Sequence, residues 1–192
     1  AVASVGIGAQ VTMLVSVVVT ALSTAVGAFT AQFAATDQIG QVRGALRYAS
    51  FVAMCIAAPV VTVGAIAPAL LVRPFTADPH LEVTGAPYLR LVALWVLPTA
   101  VILVCTAIMR SMGKTKLPLQ AAAAAIFVNL FLDWVLIFGN LGAPRLGLVG
   151  AGVGSLVARL LECICILIAT MRLLGTKGWG ERLPAAMRRK IR

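Results

Sequence analysis

Five long apolar stretches, separated by short segments that hold most of the charge, set the pattern of this chain. The first reaches from Ala1 to Thr36 and centres on a span of about residues 8–33. The others cover residues 48–72, 91–109, 118–139 and 148–171. A helix crossing a bilayer needs roughly 20 mostly apolar residues, and each stretch supplies about that many. Strands and helices of soluble domains are mostly shorter, and barrel strands in outer membranes alternate polar with apolar over about ten residues. The pattern therefore predicts an all-α integral membrane protein with five transmembrane helices. Residues 1–174 are expected to form the helical bundle and residues 175–192 a basic cytoplasmic tail.

The segments between the stretches are rich in Asp, Gly, Pro, Arg and Lys. Arg73 to Pro87 carries Arg73, Asp78, His80 and Glu82 among three prolines, so it reads as an aqueous loop with room for a short surface helix. Pro59, Pro68 and Pro98 fall inside stretches, where neighbouring helices can satisfy the carbonyl that each proline frees. They read as static kinks.

Composition agrees. Hydrophobic residues make up 61% of the chain and charged ones 11%, with a mean hydropathy of +1.02. Soluble domains average roughly 45–50% apolar and about 25% charged. So much apolar surface in 192 residues must have lipid as its main solvent. The chain starts at Ala1 and enters an apolar run with no charged region before it. That start does not read as a signal peptide and looks like the middle of something longer.

A net charge of +10 would suggest nucleic acid in a soluble protein. Here the bases sit between apolar stretches with no aromatic residues interleaved, which is the arrangement that orients a membrane protein. One side of the predicted bundle receives Arg43, Arg47, Arg110, Lys114, Lys116, Arg172, Lys177, Arg182, Arg188, Arg189, Lys190 and Arg192, and the other only Arg73, Arg90 and Arg145. The first side is expected to be cytoplasmic, which makes this a multi-pass protein of the cytoplasmic membrane with its carboxyl end inside. Cys55, Cys105, Cys163 and Cys165 lie in apolar runs without a C-x-x-C pair, and read as small packing residues.

Three ionisable residues lie within stretches: Asp133, Arg159 and Glu162. Each costs at least roughly 2.5–3.5 kcal/mol near the bilayer centre, so each needs a partner or a role. Asn129 sits four residues before Asp133 on the same helix face. Together they gather oxygen donors that suit a proton or a hard cation such as Na⁺. A helical rise of about 1.5 Å per residue puts Ser155 of the next stretch at the depth of Asp133 if the two pack antiparallel, as their short connector favours. Ser155 could then add a hydroxyl to the same cation or proton site. Arg159 and Glu162, three apart, are placed to pair as a structural or coupling ion pair. Gly150 and Gly154, with Ala151 and Ser155, form overlapping small-xxx-small patterns that allow close helix approach.

Nothing in the sequence points to an enzyme. The one histidine, His80, stands in a predicted loop, and no Gly-rich phosphate loop followed by Lys-Ser/Thr is present. No cofactor and no metal site are expected beyond Na⁺ at Asp133.

The runs MRSMGKTKLP (109–118), NLFLDWVLIFG (129–139) and LGLVGAGVGSLVARLLE (146–162) resemble the multidrug and toxic compound extrusion (MATE) family of secondary transporters, in that order and at that spacing. Ala31 and Gln32, followed by a short polar turn, are similar to the end of that family's second helix. The resemblance extends from about Ala3 to Leu174 and implies that the five spans correspond to helices two to six of the amino-terminal lobe. It further implies exchange of a cationic, amphipathic compound for H⁺ or Na⁺. The family's cation site takes an aspartate of the first helix, the Asn and Asp of an N-x-x-x-D helix, and a hydroxyl residue of the sixth. Asn129 and Asp133 match the middle pair, and Ser155 stands where Thr is usual. The first helix with its aspartate and the second lobe would lie outside this chain, as partners together with the lipid bilayer and the exported compound. Two other readings remain: a flippase of related architecture for lipid or polysaccharide precursors, which needs a larger and more cationic cavity, and a membrane subunit that does not itself transport.

Overall fold

The computed structural model describes residues 2–36, 38–68, 70 and 79–175. The basic residues of the predicted tail and the start of the Arg73 to Pro87 segment lie outside them. The described residues form five long helices and one turn of 3₁₀ helix: α1 (Val2–Ala35), α2 (Ile39–Ile66), α3 (Pro79–Ser111), α4 (Lys116–Phe138), the 3₁₀ turn (Asn140–Gly142) and α5 (Leu148–Leu174). All five long helices contain a segment long and apolar enough to cross a membrane.

The helices overrun the apolar stretches at several ends. α2 begins at Ile39, so Arg43 and Arg47 lie in its first turns rather than in a connector. It ends at Ile66, short of the apolar run, because Pro68 follows and the residue before a proline is forced out of helical geometry. Ala67 accordingly takes φ −137° and ψ 69°. α3 begins at Pro79, so residues 79–87 continue into the membrane helix instead of forming a loop. Proline is tolerated there because a first-turn N–H has no helical partner in any case.

α3 is the hub of the bundle, packing against α1, α2 and α5. Val92, Val96, Ala100, Val104 and Ile108 of α3 are all buried, a spacing of four that keeps one stripe turned inward. α4 packs chiefly on α5, and its Phe127, Leu130 and Phe131 are exposed on the outside of the bundle. Such a face is stable only against lipid or further protein. Polar side chains inside the bundle find partners: the Thr30 and Ser111 hydroxyls lie 2.8 Å apart between α1 and α3, so one donates to the other, and the acceptor of that pair donates its own proton to a carbonyl of its own helix. Cys105 and Cys163 are buried, whereas Cys55 and Cys165 face outward, and all four are free thiols.

The connector between α4 and α5 fixes their antiparallel pairing. Gly139 closes α4 in the left-handed region at φ 76°, its N–H reaching Val135 O, and the chain reverses over the 3₁₀ turn. Leu146 N–H then returns to Leu136 O at 2.9 Å, and Asn140 Nδ2 donates to Trp134 O at 3.0 Å. With both ends of the turn tied to α4, α5 has one direction to take.

Candidate functional site

The α4–α5 seam brings the expected polar residues together. Gly150 has no side chain to hold the helices apart, and a Cβ there would meet the Leu136 backbone at 2.8 Å. One turn further along α5, a Cβ on Gly154 would fall 2.6 Å from Asp133 Oδ1. The small-xxx-small pattern of α5 thus has α4 as its partner. Gly152 faces the other way, where a Cβ would meet Leu91 of α3 at 2.8 Å.

Asn129 Nδ2 donates to Ser155 Oγ at 3.2 Å, which leaves the amide oxygen of Asn129 as an acceptor. The depth estimate paired Ser155 with Asp133; in the structure Ser155 meets Asn129, and its neighbour Gly154 lies at Asp133. Successive residues of α5 project about 100° apart, so they meet different turns of α4. Asp133 Oδ1 is buried and has no hydrogen-bond partner among the described residues. A buried acceptor left unpaired is uncommon in folded proteins and calls for an ion, a proton or a water. Among the described residues no group of three or more His, Cys, Asp or Glu gathers as a metal site. Asn129, bonded to Ser155, lies one turn of α4 before Asp133.

Arg159 Nη1 donates to Glu162 Oε2 at 2.7 Å within one turn of α5. Glu162 is 5% exposed and Arg159 49%, so the carboxylate lies inside the bundle and the guanidinium at its edge. Both line a cavity of about 610 Å³ between α1, α3, α4 and α5, as do Asn129 and Ser155. The wall opposite is less conspicuous in the sequence. Thr12 of α1 and Tyr88 and Trp95 of α3 complete it, with Trp95 Nε1 donating to Thr12 Oγ1 at 3.3 Å. Tyr88 and Trp95 sit edge to face, ring centroids 6.3 Å apart at 86°. Their spacing of seven, continued to Thr99 at eleven, was the available signal: a polar and aromatic stripe on one helix face.

Comparison with known proteins bears on all of these helices. The chain is 27% identical over 175 residues to the probable multidrug resistance protein NorM of Bacillus anthracis, a match that covers 91% of this chain and 38% of that protein. The NorM proteins of Bacillus subtilis (28% over 165 residues, 86% of this chain and 36% of the relative) and Bacillus licheniformis (31% over 144 residues, 70% and 31%) are similar in the same way. The chain therefore spans less than two fifths of the length of these relatives. The MatE family model matches residues 1–135, more than half of the chain, which thus belongs to the MatE family, a family of transporters rather than enzymes.

Proposed function

We propose that this chain is part of an antiporter that exports small amphipathic compounds, organic cations among them, across the cytoplasmic membrane in exchange for H⁺ or Na⁺. In this reading Asp133 carries the coupling cation, with Asn129 and Ser155 as its oxygen neighbours, and the carboxyl end of α5 faces the cytoplasm. The missing first helix and second lobe would come from the rest of the parent transporter. Arg159 and Glu162 hold the α5 wall of the cavity.

The observation that carries this reading is the buried, unpartnered Oδ1 of Asp133. Leaving such an acceptor unpaired costs roughly 1–3 kcal/mol, and more when the group is charged. A proton or Na⁺ removes that cost. A cationic compound arriving nearby favours the free carboxylate, so the two cargoes compete for one negative charge and are exchanged rather than carried together. The flippase reading asks for a more cationic cavity than this one, whose charged lining among the described residues is Arg159 already paired to Glu162.

The test is Asp133→Asn in the full-length parent transporter, reconstituted in liposomes with an imposed ion gradient. The amide keeps the size of the side chain and cannot ionise. The variant should insert and fold normally but fail to exchange substrate for cation. Export at the wild-type rate would make Asp133 a packing residue and overturn this coupling mechanism.

A further inference from the structure

α3 and α4 meet in a tight turn that carries Arg110, Lys114 and Lys116 close together in sequence. Gly113 reverses the chain in the left-handed region at φ 74°, with its N–H on Arg110 O at 3.0 Å and the Lys114 N–H on Met109 O at 2.9 Å. The backbone of the turn is thus tied down, and all three basic side chains are exposed. Arg172, exposed in the last turn of α5, joins them. The close approaches of Gly150 to Leu136 and of Gly154 to Asp133 set the antiparallel register of α4 and α5. Continued to the other end of the pair, that register brings Arg172 to the level of Lys114.

Among the described residues no carboxylate offsets this charge. None of the four bases forms an ion pair, α4 has no acid in its first turn, and Asp133 and Glu162 lie well inside their helices. Like charges gathered at one level repel one another, and an anion beside them removes that repulsion. Just beyond Lys116, Leu117 and Leu119 of α4 are also exposed. The surface therefore changes from cationic to apolar within one turn of helix, as a phospholipid does from its phosphate to its chains.

We propose that this end of the bundle binds an anionic phospholipid, its phosphate held by Arg110, Lys114, Lys116 and Arg172 and its acyl chains laid along Leu117 and Leu119. A guanidinium meets two phosphate oxygens with two N–H groups, and the lysines add point charges on flexible stems that can follow a headgroup. Each base close to an anionic lipid surface strengthens binding about fivefold. A free phosphate would satisfy the bases and leave the leucines uncovered, so the pairing of the two favours a lipid. This surface lies apart from the cavity, and the proposal does not depend on the export reading.

The test reads lipid binding at equilibrium. The full chain in a neutral alkyl maltoside is titrated calorimetrically with dioctanoyl phosphatidylglycerol, dioctanoyl phosphatidylcholine and glycerol 1-phosphate. Phosphatidylglycerol should bind about tenfold or more tightly than either of the others. The triple variant Arg110→Gln, Lys114→Gln, Lys116→Gln should bind the two lipids within about twofold of each other. A charge-matched variant, Arg188→Gln, Arg189→Gln, Lys190→Gln, loses the same charge elsewhere and should keep the wild-type preference. Leu119→Asn should weaken both lipids and leave their ratio unchanged. If the triple variant loses helix content, Lys114→Gln alone takes its place, with a loss of about fivefold for phosphatidylglycerol and none for phosphatidylcholine. Three results would mean that the bases only orient the chain, and would overturn the proposal. These are equal binding of the two lipids by the wild type, a preference that survives in the variants of the turn, and a preference lost equally in the charge-matched variant. Glycerol phosphate binding as tightly as phosphatidylglycerol would make this a site for a soluble phosphate, which overturns the proposal as well.

Discussion

The Oδ1 atom of Asp133 rests directly on the backbone of Gly154, so that a Cβ at the glycine would lie only 2.6 Å away. An absent side chain on α5 thus defines the position of a carboxylate on α4. The same stretch of α5 puts Gly150 against the Leu136 backbone, where a Cβ would lie 2.8 Å from the carbonyl. The two glycines meet different obstacles, and alanine at each should have a different consequence.

At Gly154 the obstacle is the tip of a short side chain, which can rotate away. Gly154→Ala should leave folded yield near the wild-type level while displacing Asp133, so the parent transporter should lose cation-dependent exchange. At Gly150 the obstacle is backbone, and α4 itself must move. Gly150→Ala should destabilise the bundle by roughly 1–3 kcal/mol, the usual range for overpacking. Thermal unfolding in detergent beside a transport assay separates the two. Equal loss of stability in both variants would remove the distinction.

Arg43, near the start of α2, donates from Nε to the Leu174 carbonyl at 2.9 Å and from Nη2 to the same oxygen. A cation at a helix carboxyl end satisfies a terminal carbonyl and opposes the negative end of the helix dipole. α2 and α5 otherwise touch little, so this contact ties together the ends of two helices remote in sequence. Arg43→Ala should cost roughly 1.5–3 kcal/mol, the range for hydrogen bonds to a charged group, and raise amide exchange in the last turn of α5. Arg43→Lys should recover part of both, since it keeps the charge without the fork. Unchanged exchange around Leu174 in Arg43→Ala would show the contact to be incidental.

The distribution of bases bears on orientation in the membrane. The turn at Lys114, between α3 and α4, should be cytoplasmic, and residue 82, ahead of the apolar part of α3, should be outside. Cysteines placed at Lys114 and Glu82 should then react with an impermeant maleimide from opposite sides. Labelling of Lys114→Cys in intact cells would reverse the assignment.

Much of the α4–α5 site was legible because polar residues stand out against an apolar background. Asn129, Asp133, Ser155, Arg159 and Glu162 all draw notice within helices where a charge is costly. Their partners were less visible. The Gly150 and Gly154 pattern announces a close approach but not the neighbour, since any helix surface could fill the gap. Tyr88, Trp95 and Thr12 escaped notice because aromatic and hydroxyl residues are common in membrane helices. Their convergence is a property of the packing of α1 on α3, which no local spacing encodes. Arg43 and Leu174 were placed on the same side by the charge count, but their bond depends on how α2 and α5 converge. The end of α2 could have been read from Pro68, whose effect on the preceding residue is local; the apolar run beyond it obscured the signal.

Ser155 offers the finest test of how the polar groups cooperate. Its oxygen accepts a hydrogen bond from Asn129 at 3.2 Å, so its loss leaves that amide without a partner inside the bundle. The cost should be about 1 kcal/mol, the usual net worth of a neutral hydrogen bond. Ser155→Ala should therefore lower stability slightly and weaken the cation dependence of exchange, though less than Asp133→Asn, because it removes a neutral ligand and keeps the charge. Ser155→Thr retains the hydroxyl, and its extra methyl group should leave both properties close to wild type. Asn129→Ala removes the donor and an acceptor oxygen together, so it should fall between Ser155→Ala and Asp133→Asn. The graded series is read as the cation concentration that gives half-maximal exchange in reconstituted liposomes. A rank order in which Ser155→Ala matches Asp133→Asn would mean that the hydroxyl, rather than the carboxylate, governs the site.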